Sequence, residues 1–279
     1  MTEATTAAPD SGPAPASPLT VRLEEFEGPL DLLLHLARTE EIDRWLLARY
    51  AECATRVVKA YDDYDYPTVF QTANQFITVD VSAFYVDVTK DRMYTFGAGS
   101  EARRSGQTAM FVVVDGLARL LAPVLSVTMD ELWRGLPGPR EASVHMALFP
   151  RGLEAYADPV LTARWAGLGA VRDAVNVALE QKRQEKVIGG NLSAAVEVVA
   201  SGSEADLLQH YQSFLPTLFG VSAVTLARSF DDARTVTVTR ADGVKCERCW
   251  RVVPEVSSAP DRSGLCSRCV DALAEAVSL

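Results

Sequence analysis

Apolar residues recur at helical spacing through much of the first two thirds of the chain. After Asp43 the positions that follow this spacing are Trp45, Leu46, Ala48, Tyr50, Val57, Val58 and Tyr61. Intervals of three and four residues predict an amphipathic helix that ends before Pro67. The same pattern predicts further helices over about 68–90, 103–121, 129–136 and 158–186. Residues 43–187 are therefore expected to form an all-helical bundle.

The pattern changes at Ile188, where Gly189 and Gly190 interrupt the helical spacing. Alternating apolar and polar positions predict short strands over 194–199, 221–227 and 235–239, with a helix over 204–219. Residues 188–244 are thus expected to form a small α+β unit. The remaining 245–279 are too few to fold on apolar burial alone, so a bound metal must stabilise them.

The first residues are mostly Thr, Ala, Pro, Ser and Gly, and they lack the basic start and apolar core of a signal peptide. We predict a disordered tail over 1–20. The most apolar stretch, 109–127, is interrupted by Asp115, Arg119 and Pro123, so it falls short of the roughly 20 residues that a membrane span needs. We expect a soluble, cytoplasmic protein with no membrane partner.

The 279 residues are 48% apolar and 23% charged, which is ordinary globular composition and allows two compact domains. The formal net charge of −10 argues against a protein whose whole surface binds nucleic acid. Because salt screens distant charge, a local basic patch can still bind RNA.

The cysteine spacing carries the strongest chemical signal in the sequence. Its four members, in the order C-x2-C-x16-C-x2-C, are Cys246, Cys249, Cys266 and Cys269. Each pair places two thiolates at one tight turn, and two pairs complete a tetrahedron, so we expect one structural Zn²⁺ with iron as the alternative. The fifth cysteine, Cys53, lies in a helical pattern and is expected to be a core residue.

Basic and aromatic residues surround this zinc site. Five cations lie around it, namely Lys245, Arg248, Arg251, Arg262 and Arg268, against the three anions Glu247, Glu255 and Asp261, and Trp250 offers an aromatic face on which a base can stack. In the alternative interpretation, Trp250 packs under the zinc ribbon on an ordinary solvated surface.

A second basic cluster flanks the loop sequence FGAGSEA between two predicted helices. Its members are Lys90, Arg92, Arg103 and Arg104. These cations suit phosphate contact, but salt bridges with Asp87, Asp91 and Glu101 explain them equally well. The loop matches neither GxGxxG nor the P-loop pattern. The three histidines are far apart in sequence, and we assemble no catalytic constellation from them.

VKCERCW at 244–250 and LCSRCVDAL at 265–273 resemble the zinc finger of bacterial isoleucine tRNA ligases. EIDRWLLARY at 41–50, VDVSAFYVDVTKDRMYTF at 79–96 and RRSGQTAM at 103–110 are similar to that family's anticodon-binding domain and follow its order. The resemblance covers 43–279 and implies a tRNA-binding module for the anticodon arm of isoleucine tRNA. It also implies zinc ligation by the four cysteines and RNA contact by Trp250, Lys245 and Arg248.

The family's HIGH and KMSKS motifs and its editing domain are absent from this sequence. The resemblance therefore implies that this chain alone binds no ATP and charges no tRNA. A free-standing, DNA-binding zinc ribbon is a further alternative. A similar finger occurs in formamidopyrimidine DNA glycosylases, but that family needs an N-terminal proline nucleophile, and this sequence starts Met1-Thr2-Glu3.

Residues 21–42 include FEGPLDLLLHL at 26–36, which resembles the opening of segregation and condensation protein A, a kleisin that partners the SMC ATPase. This resemblance implies an SMC complex as an alternative partner and chromosome segregation as an alternative function. The two resemblances overlap at Glu41-Ile42-Asp43. Our hypothesis is a chimera of two genes joined at this triplet.

Overall fold

The computed structural model describes residues 40–231 and 233–275. The tail predicted over 1–20 and nearly all of the kleisin-like segment 21–42 lie outside these described residues. The fold is mostly α-helical, with a small sheet and a four-cysteine site, which confirms the predicted class.

Six α-helices form the helical domain. They are α1 (Glu41–Asp62), α2 (Tyr66–Gln75), α3 (Asp87–Thr95), α4 (Glu101–Leu121), α5 (Ser126–Gly135) and α6 (Pro159–Gln184). A π-helical stretch, Phe76–Val86, connects α2 to α3. The predicted helix over 68–90 is therefore helical throughout, but its middle has the wider π winding and it continues to Thr95.

Two helices begin where the sequence supplies a cap and a proline. The Asp65 carboxylate accepts a hydrogen bond from the Thr68 amide at 3.1 Å, and Pro67 lies in the first turn of α2. Asp158 accepts one from the Leu161 amide at 3.0 Å, and Pro159 opens α6. Both pairs satisfy amides that a helix start leaves unpaired.

The α+β unit follows α6. Its elements are β1 (Ala194–Ala200), α7 (Gly202–His210), α8 (Leu215–Leu218), β2 (Ala223–Arg228) and β3 (Thr235–Arg240). The strands lie in the order β2-β1-β3, with β1 parallel to β2 and antiparallel to β3. The single helix predicted over 204–219 is wrong: Pro216, which cannot donate a backbone hydrogen bond, lies in the first turn of a separate short helix.

One hydrophobic core runs through the helical domain and the α+β unit. Leu46 of α1, Trp165 of α6, Val198 of β1 and Leu215 of α8 are buried members of this core. It is therefore continuous across residue 188, where the sequence predicts a domain boundary. Cys53 is buried in the same core, as expected.

The zinc finger consists of a two-stranded hairpin and a helix. Strand β4 (Val244–Lys245) pairs antiparallel with β5 (Val252–Val253), and helix α9 spans Ser267–Glu275. Gly243 precedes the hairpin at φ 126°, and a Cβ there would lie 2.2 Å from the Val253 carbonyl oxygen, so only glycine fits. Among the described helices, none is long and apolar enough to cross a membrane.

Candidate metal centre and nucleic-acid interface

The four cysteine sulfurs converge at one point of the finger. Cys246 and Cys249 lie in the turn between β4 and β5, and Cys266 and Cys269 lie at the start of α9. The four Sγ atoms lie within 4.8 Å of one another, and those of Cys249 and Cys266 are 3.7 Å apart. A tetrahedral zinc with Zn–S bonds of about 2.3 Å requires sulfurs about 3.8 Å apart. The donor set fits one Zn²⁺ and leaves it no open position, so the zinc is structural.

Backbone amides support the thiolates that zinc requires. The amide of Cys266 donates to the Cys246 sulfur at 3.3 Å. Burial acts to raise the pKa of Cys246, but amide hydrogen bonds outweigh it and lower this pKa to about 6. Burial raises the pKa of Cys249 and raises that of Cys266 to about 12, so these two thiols must lose their protons as zinc binds.

Trp250 projects from the first zinc knuckle. Its backbone has φ 66°, in the left-handed region, and its side chain is 61% exposed. The Trp250 amide donates to the Cys246 carbonyl at 2.9 Å, and the Lys245 ammonium lies 5.5 Å from the centre of the indole ring. The alternative in which Trp250 packs under the ribbon is therefore wrong.

The finger docks on the helical domain through arginines. Arg248 donates to the backbone carbonyl of Thr95 at the end of α3. Arg268 donates two hydrogen bonds to the Asp91 carboxylate, at 2.7 and 3.0 Å. Burial acts to raise the pKa of Asp91, but the hydrogen bonds and charge of Arg268 outweigh it and lower this pKa.

The second basic cluster does not form one exposed patch. Lys90 is exposed and pairs with Asp87 at 2.6 Å, which confirms part of the salt-bridge alternative. Arg92 is 7% exposed and ion-paired with the buried Asp43. The burial of Arg92 in this ion pair contradicts the prediction that it contacts RNA.

The arginines at the start of α4 remain partly exposed. Arg103 donates to the Phe96 carbonyl at 3.0 Å and so fixes one side of the loop before α4, while Arg104 is half-buried. An open groove of about 480 Å³ lies between this loop and α9. It is lined by Phe96, Gly97, Ser100, Arg268, Asp271, Ala272 and Ala274.

A polar junction at the start of α1 escaped the sequence analysis. One carboxylate oxygen of Glu41 accepts hydrogen bonds from the Trp165 indole at 3.0 Å and from Arg164 at 3.3 Å, and also from the Tyr211 hydroxyl. Buried Trp and Tyr side chains usually find a polar partner, so a Trp and a Tyr in apolar patterns are the sequence signal for such a junction. The junction fixes α1 to α6 and to the end of α7.

Comparison with known proteins places the chain in a class. The family described as the anticodon-binding domain of tRNA ligase matches residues 43–199, and the zinc finger found in FPG and IleRS matches 243–272. The chain belongs to the family of tRNA-ligase anticodon-binding domains.

Its relatives include isoleucine–tRNA ligases from several bacteria. The enzyme of Syntrophotalea carbinolica is 42% identical over 244 residues, which cover 84% of this chain and 26% of the relative. The enzyme of Geobacter sulfurreducens is 38% identical over 260 residues, which cover 90% of this chain and 28% of the relative. The enzyme of Moorella thermoacetica is 39% identical over 249 residues, which cover 84% of this chain and 27% of the relative. The chain thus spans about a quarter of the length of the curated relatives it matches.

Proposed function

We propose that this chain is the tRNA-binding module of an isoleucine tRNA ligase and that it binds the anticodon arm of isoleucine tRNA. One observation supports this most: the exposed indole of Trp250, held on a zinc knuckle beside the ammonium of Lys245. A base that stacks on such a ring gains about 1–3 kcal/mol. A neighbouring cation contacts phosphate without reading sequence.

The zinc supplies the folding energy of the knuckle and takes no part in chemistry. The chain's own residues do the recognition: Trp250 offers a stacking face, and Lys245 offers a positive charge next to it. Lys90, Arg103 and Arg104 are secondary candidates on the helical domain, and Arg248 retains donors beyond the one used on Thr95. Since the net charge is −10, this binding must rely on local contacts rather than on the overall field.

The charging of tRNA belongs to the whole ligase, whose HIGH and KMSKS motifs this sequence lacks. We expect this chain alone to bind isoleucine tRNA without ATP and without forming aminoacyl-tRNA. Because tRNA is a cytoplasmic partner, the proposal places the chain in the cytoplasm.

The tryptophans make the proposal directly measurable. Trp45, Trp133 and Trp165 are at most 7% exposed, whereas Trp250 is 61% exposed, so acrylamide quenches mainly Trp250. We expect isoleucine tRNA to protect this fluorescence from quenching, more strongly than a non-cognate tRNA or duplex DNA does. Titrations at two salt concentrations should show weaker binding at the higher one, because phosphate contacts release counterions.

The matched control is Trp250→Gly, which keeps the left-handed backbone and removes the ring. Its affinity for isoleucine tRNA, measured by filter binding, should fall by about tenfold if one stacked base is lost. Equal affinity of the variant and the parent, or parent binding that ignores tRNA identity and salt, would overturn the proposal.

The kleisin-like segment 21–42 supports a second proposal, contact with an SMC complex, by its sequence alone. Retention of SMC subunits by the full chain, but not by a chain lacking 21–39, would support it. The chimera hypothesis is tested separately by DNA reads that cross the codons of residues 36–50. Continuous reads in the source genome would support a fusion by genomic rearrangement, and their absence would mean that an assembly error joined the two genes, which leaves only the ligase portion to interpret.

A further inference from the structure

Three arginines of the finger converge on the last turns of α3. Arg248 precedes the ligand Cys249, Arg251 follows Trp250, and Arg268 precedes the ligand Cys269. Each guanidinium therefore projects from a residue beside a zinc ligand or beside the exposed indole. The finger is attached to the helical domain from both of its knuckles.

Asp91 is the anion that joins two of these arginines, by hydrogen bonds to Arg268 and by an ion pair with Arg251. Its carboxylate binds Arg268 in a bidentate pair, and its Oδ2 lies 3.6 Å from Nε of Arg251. The Asp91 side chain is 18% exposed, and such partly desolvated, bidentate pairs are stronger and more directional than exposed ion pairs. Arg251 also donates to the Thr217 hydroxyl on α8 at 3.3 Å, which links the finger to a second element.

The following turn of α3 completes the attachment. The Thr95 carbonyl accepts from Arg248, and the Thr95 hydroxyl accepts from Arg268 at 3.2 Å. The Arg268 guanidinium lies 4.9 Å from the centre of the Phe96 ring. These contacts cap the carboxyl end of α3 with positive charge, as the helix dipole favours.

We propose that Asp91 is a positioning residue for RNA binding, which sets the orientation of the finger and thereby aims Trp250. The part of this inference that concerns RNA affinity rests on the proposed function. Asp91 is an anion, so it does not bind phosphate itself; it acts through Arg251, whose backbone directly continues from Trp250. Substitution of Asp91 should therefore lower RNA affinity although the RNA does not contact Asp91.

The direction in which one substitution changes RNA affinity distinguishes this positioning role from a purely electrostatic one. Asp91→Asn preserves shape and removes a negative charge near the RNA-facing finger. If Asp91 acted only through its charge, RNA affinity would rise, because repulsion of phosphate would fall. If it positions Trp250, affinity for isoleucine tRNA should drop by about tenfold, the value of one misplaced stacking contact.

The matched control is Asp261→Asn in the same finger. Asp261 is an exposed anion whose carboxylate lies 3.7 Å from Arg262, its sequence neighbour. This control removes the same charge without touching the attachment to α3. We expect its RNA affinity to be equal to or slightly above that of the parent.

A double variant tests whether Asp91 acts through the indole. In a Trp250→Gly background, Asp91→Asn should cost no further affinity, whereas independent effects would multiply. Zinc content should remain one ion per chain in both variants. Tighter or unchanged RNA binding by Asp91→Asn, a full additional loss in the double variant, or loss of zinc would each overturn the proposal.

A second measurement, amide hydrogen exchange, does not depend on RNA. Amide hydrogen exchange should become faster in 91–96 and 244–253 of Asp91→Asn, but not of Asp261→Asn, because the finger is released from α3. Unchanged exchange would overturn the positioning role even if the parent fails to bind isoleucine tRNA, a failure that concerns the proposed function alone. If Asp91→Asn does not fold, Arg268→Lys replaces it, since lysine keeps the charge and loses the bidentate geometry.

Discussion

Asp43 at the start of α1 is ion-paired with Arg92 at the end of α3, and both side chains are buried. Asp43 also accepts hydrogen bonds from the Tyr85 hydroxyl at 2.6 Å and from Ser105. Burial raises the pKa of Asp43, and the charge of Arg92 and these hydrogen bonds oppose that rise. The network therefore joins α1, the π-helical stretch, α3 and α4 at one point.

Arg92→Met should lower the free energy of unfolding by about 3–5 kcal/mol, because it leaves the Asp43 carboxylate buried without its partner. Urea unfolding followed by circular dichroism measures the loss. Lys90→Met is the control, since Lys90 is exposed and pairs only at the surface, and it should change stability by less than about 1 kcal/mol. Equal effects of the two substitutions would contradict the buried-pair account.

Gly116 on α4 should not tolerate a side chain, because a Cβ there would lie 1.7 Å from the Tyr50 hydroxyl oxygen. We expect Gly116→Ala to destabilise the chain by about 1–3 kcal/mol or more through overpacking between α1 and α4. Gly135→Ala is the matched control, as its Cβ would meet no atom within 4 Å, and it should be neutral or stabilising by up to about 1 kcal/mol. Urea midpoints of the two variants give the comparison, and a stable Gly116→Ala chain would refute the close contact.

Cys249→Ser should abolish stoichiometric zinc binding and unfold the finger, since structural zinc contributes on the order of 10–16 kcal/mol in isolated fingers. Limited proteolysis should then cut within 244–275 while the helical domain and the α+β unit persist with their common core. A chelator added to the parent should produce the same cleavage pattern. Intact 244–275 fragments after metal removal would show that the finger does not need the ion.

The backbone of Trp250 should distinguish glycine from alanine. Because φ is 66°, any residue with a Cβ pays about 1–2 kcal/mol there and glycine does not. Zinc affinity, measured by competition with a chromogenic chelator, should therefore be about fivefold or more higher for Trp250→Gly than for Trp250→Ala. The opposite order would mean that the left-handed conformation carries no strain.

Asp130 on α5 should make stability depend on pH in a defined direction. A hydrogen bond from Ser143 and one from the Val144 amide lower the pKa of this carboxylate, and Arg134 adds to the effect. A lowered folded pKa stabilises the fold above the ordinary value of about 3.9 and loses this contribution as the pH falls through the folded pKa.

The difference in melting temperature between the parent and Asp130→Ala should therefore be largest near pH 7 and shrink below about pH 4. Both chains lose zinc equally in acid, so the difference isolates Asp130. Arg134→Ala serves as the control, because its exposed ion pair contributes little. A difference that is constant with pH would contradict the assignment.

Local patterns in the sequence were enough for the helices, the strands and the zinc ligands. Apolar spacing and the paired cysteine spacing each depend on residues a few positions apart. The break before Pro216 is also a local signal, but the apolar pattern over 204–219 fits a single helix and conceals it.

Other features depend on contacts that local patterns do not contain. The Asp91 and Arg268 pair joins positions 177 residues apart, and each residue alone looks like an ordinary surface charge. The π winding of Phe76–Val86 is equally hidden, because a nearly continuous apolar run fits either helical period. Arg92 looks like a surface cation in the sequence, because its partner Asp43 lies 49 positions away.

The continuous core has a consequence for how the molecule unfolds. Because Leu168 and Val175 of α6 belong to the same core as Val196 of β1 and Phe219, we expect the helical domain and the α+β unit to unfold together as one cooperative unit. A chain cut after residue 187 would expose the apolar side of α6 and aggregate rather than yield an independent bundle. Within residues 40–231 and 233–275, the finger, held by its metal and by charged side chains, is the part that we expect to open while the shared core stays folded.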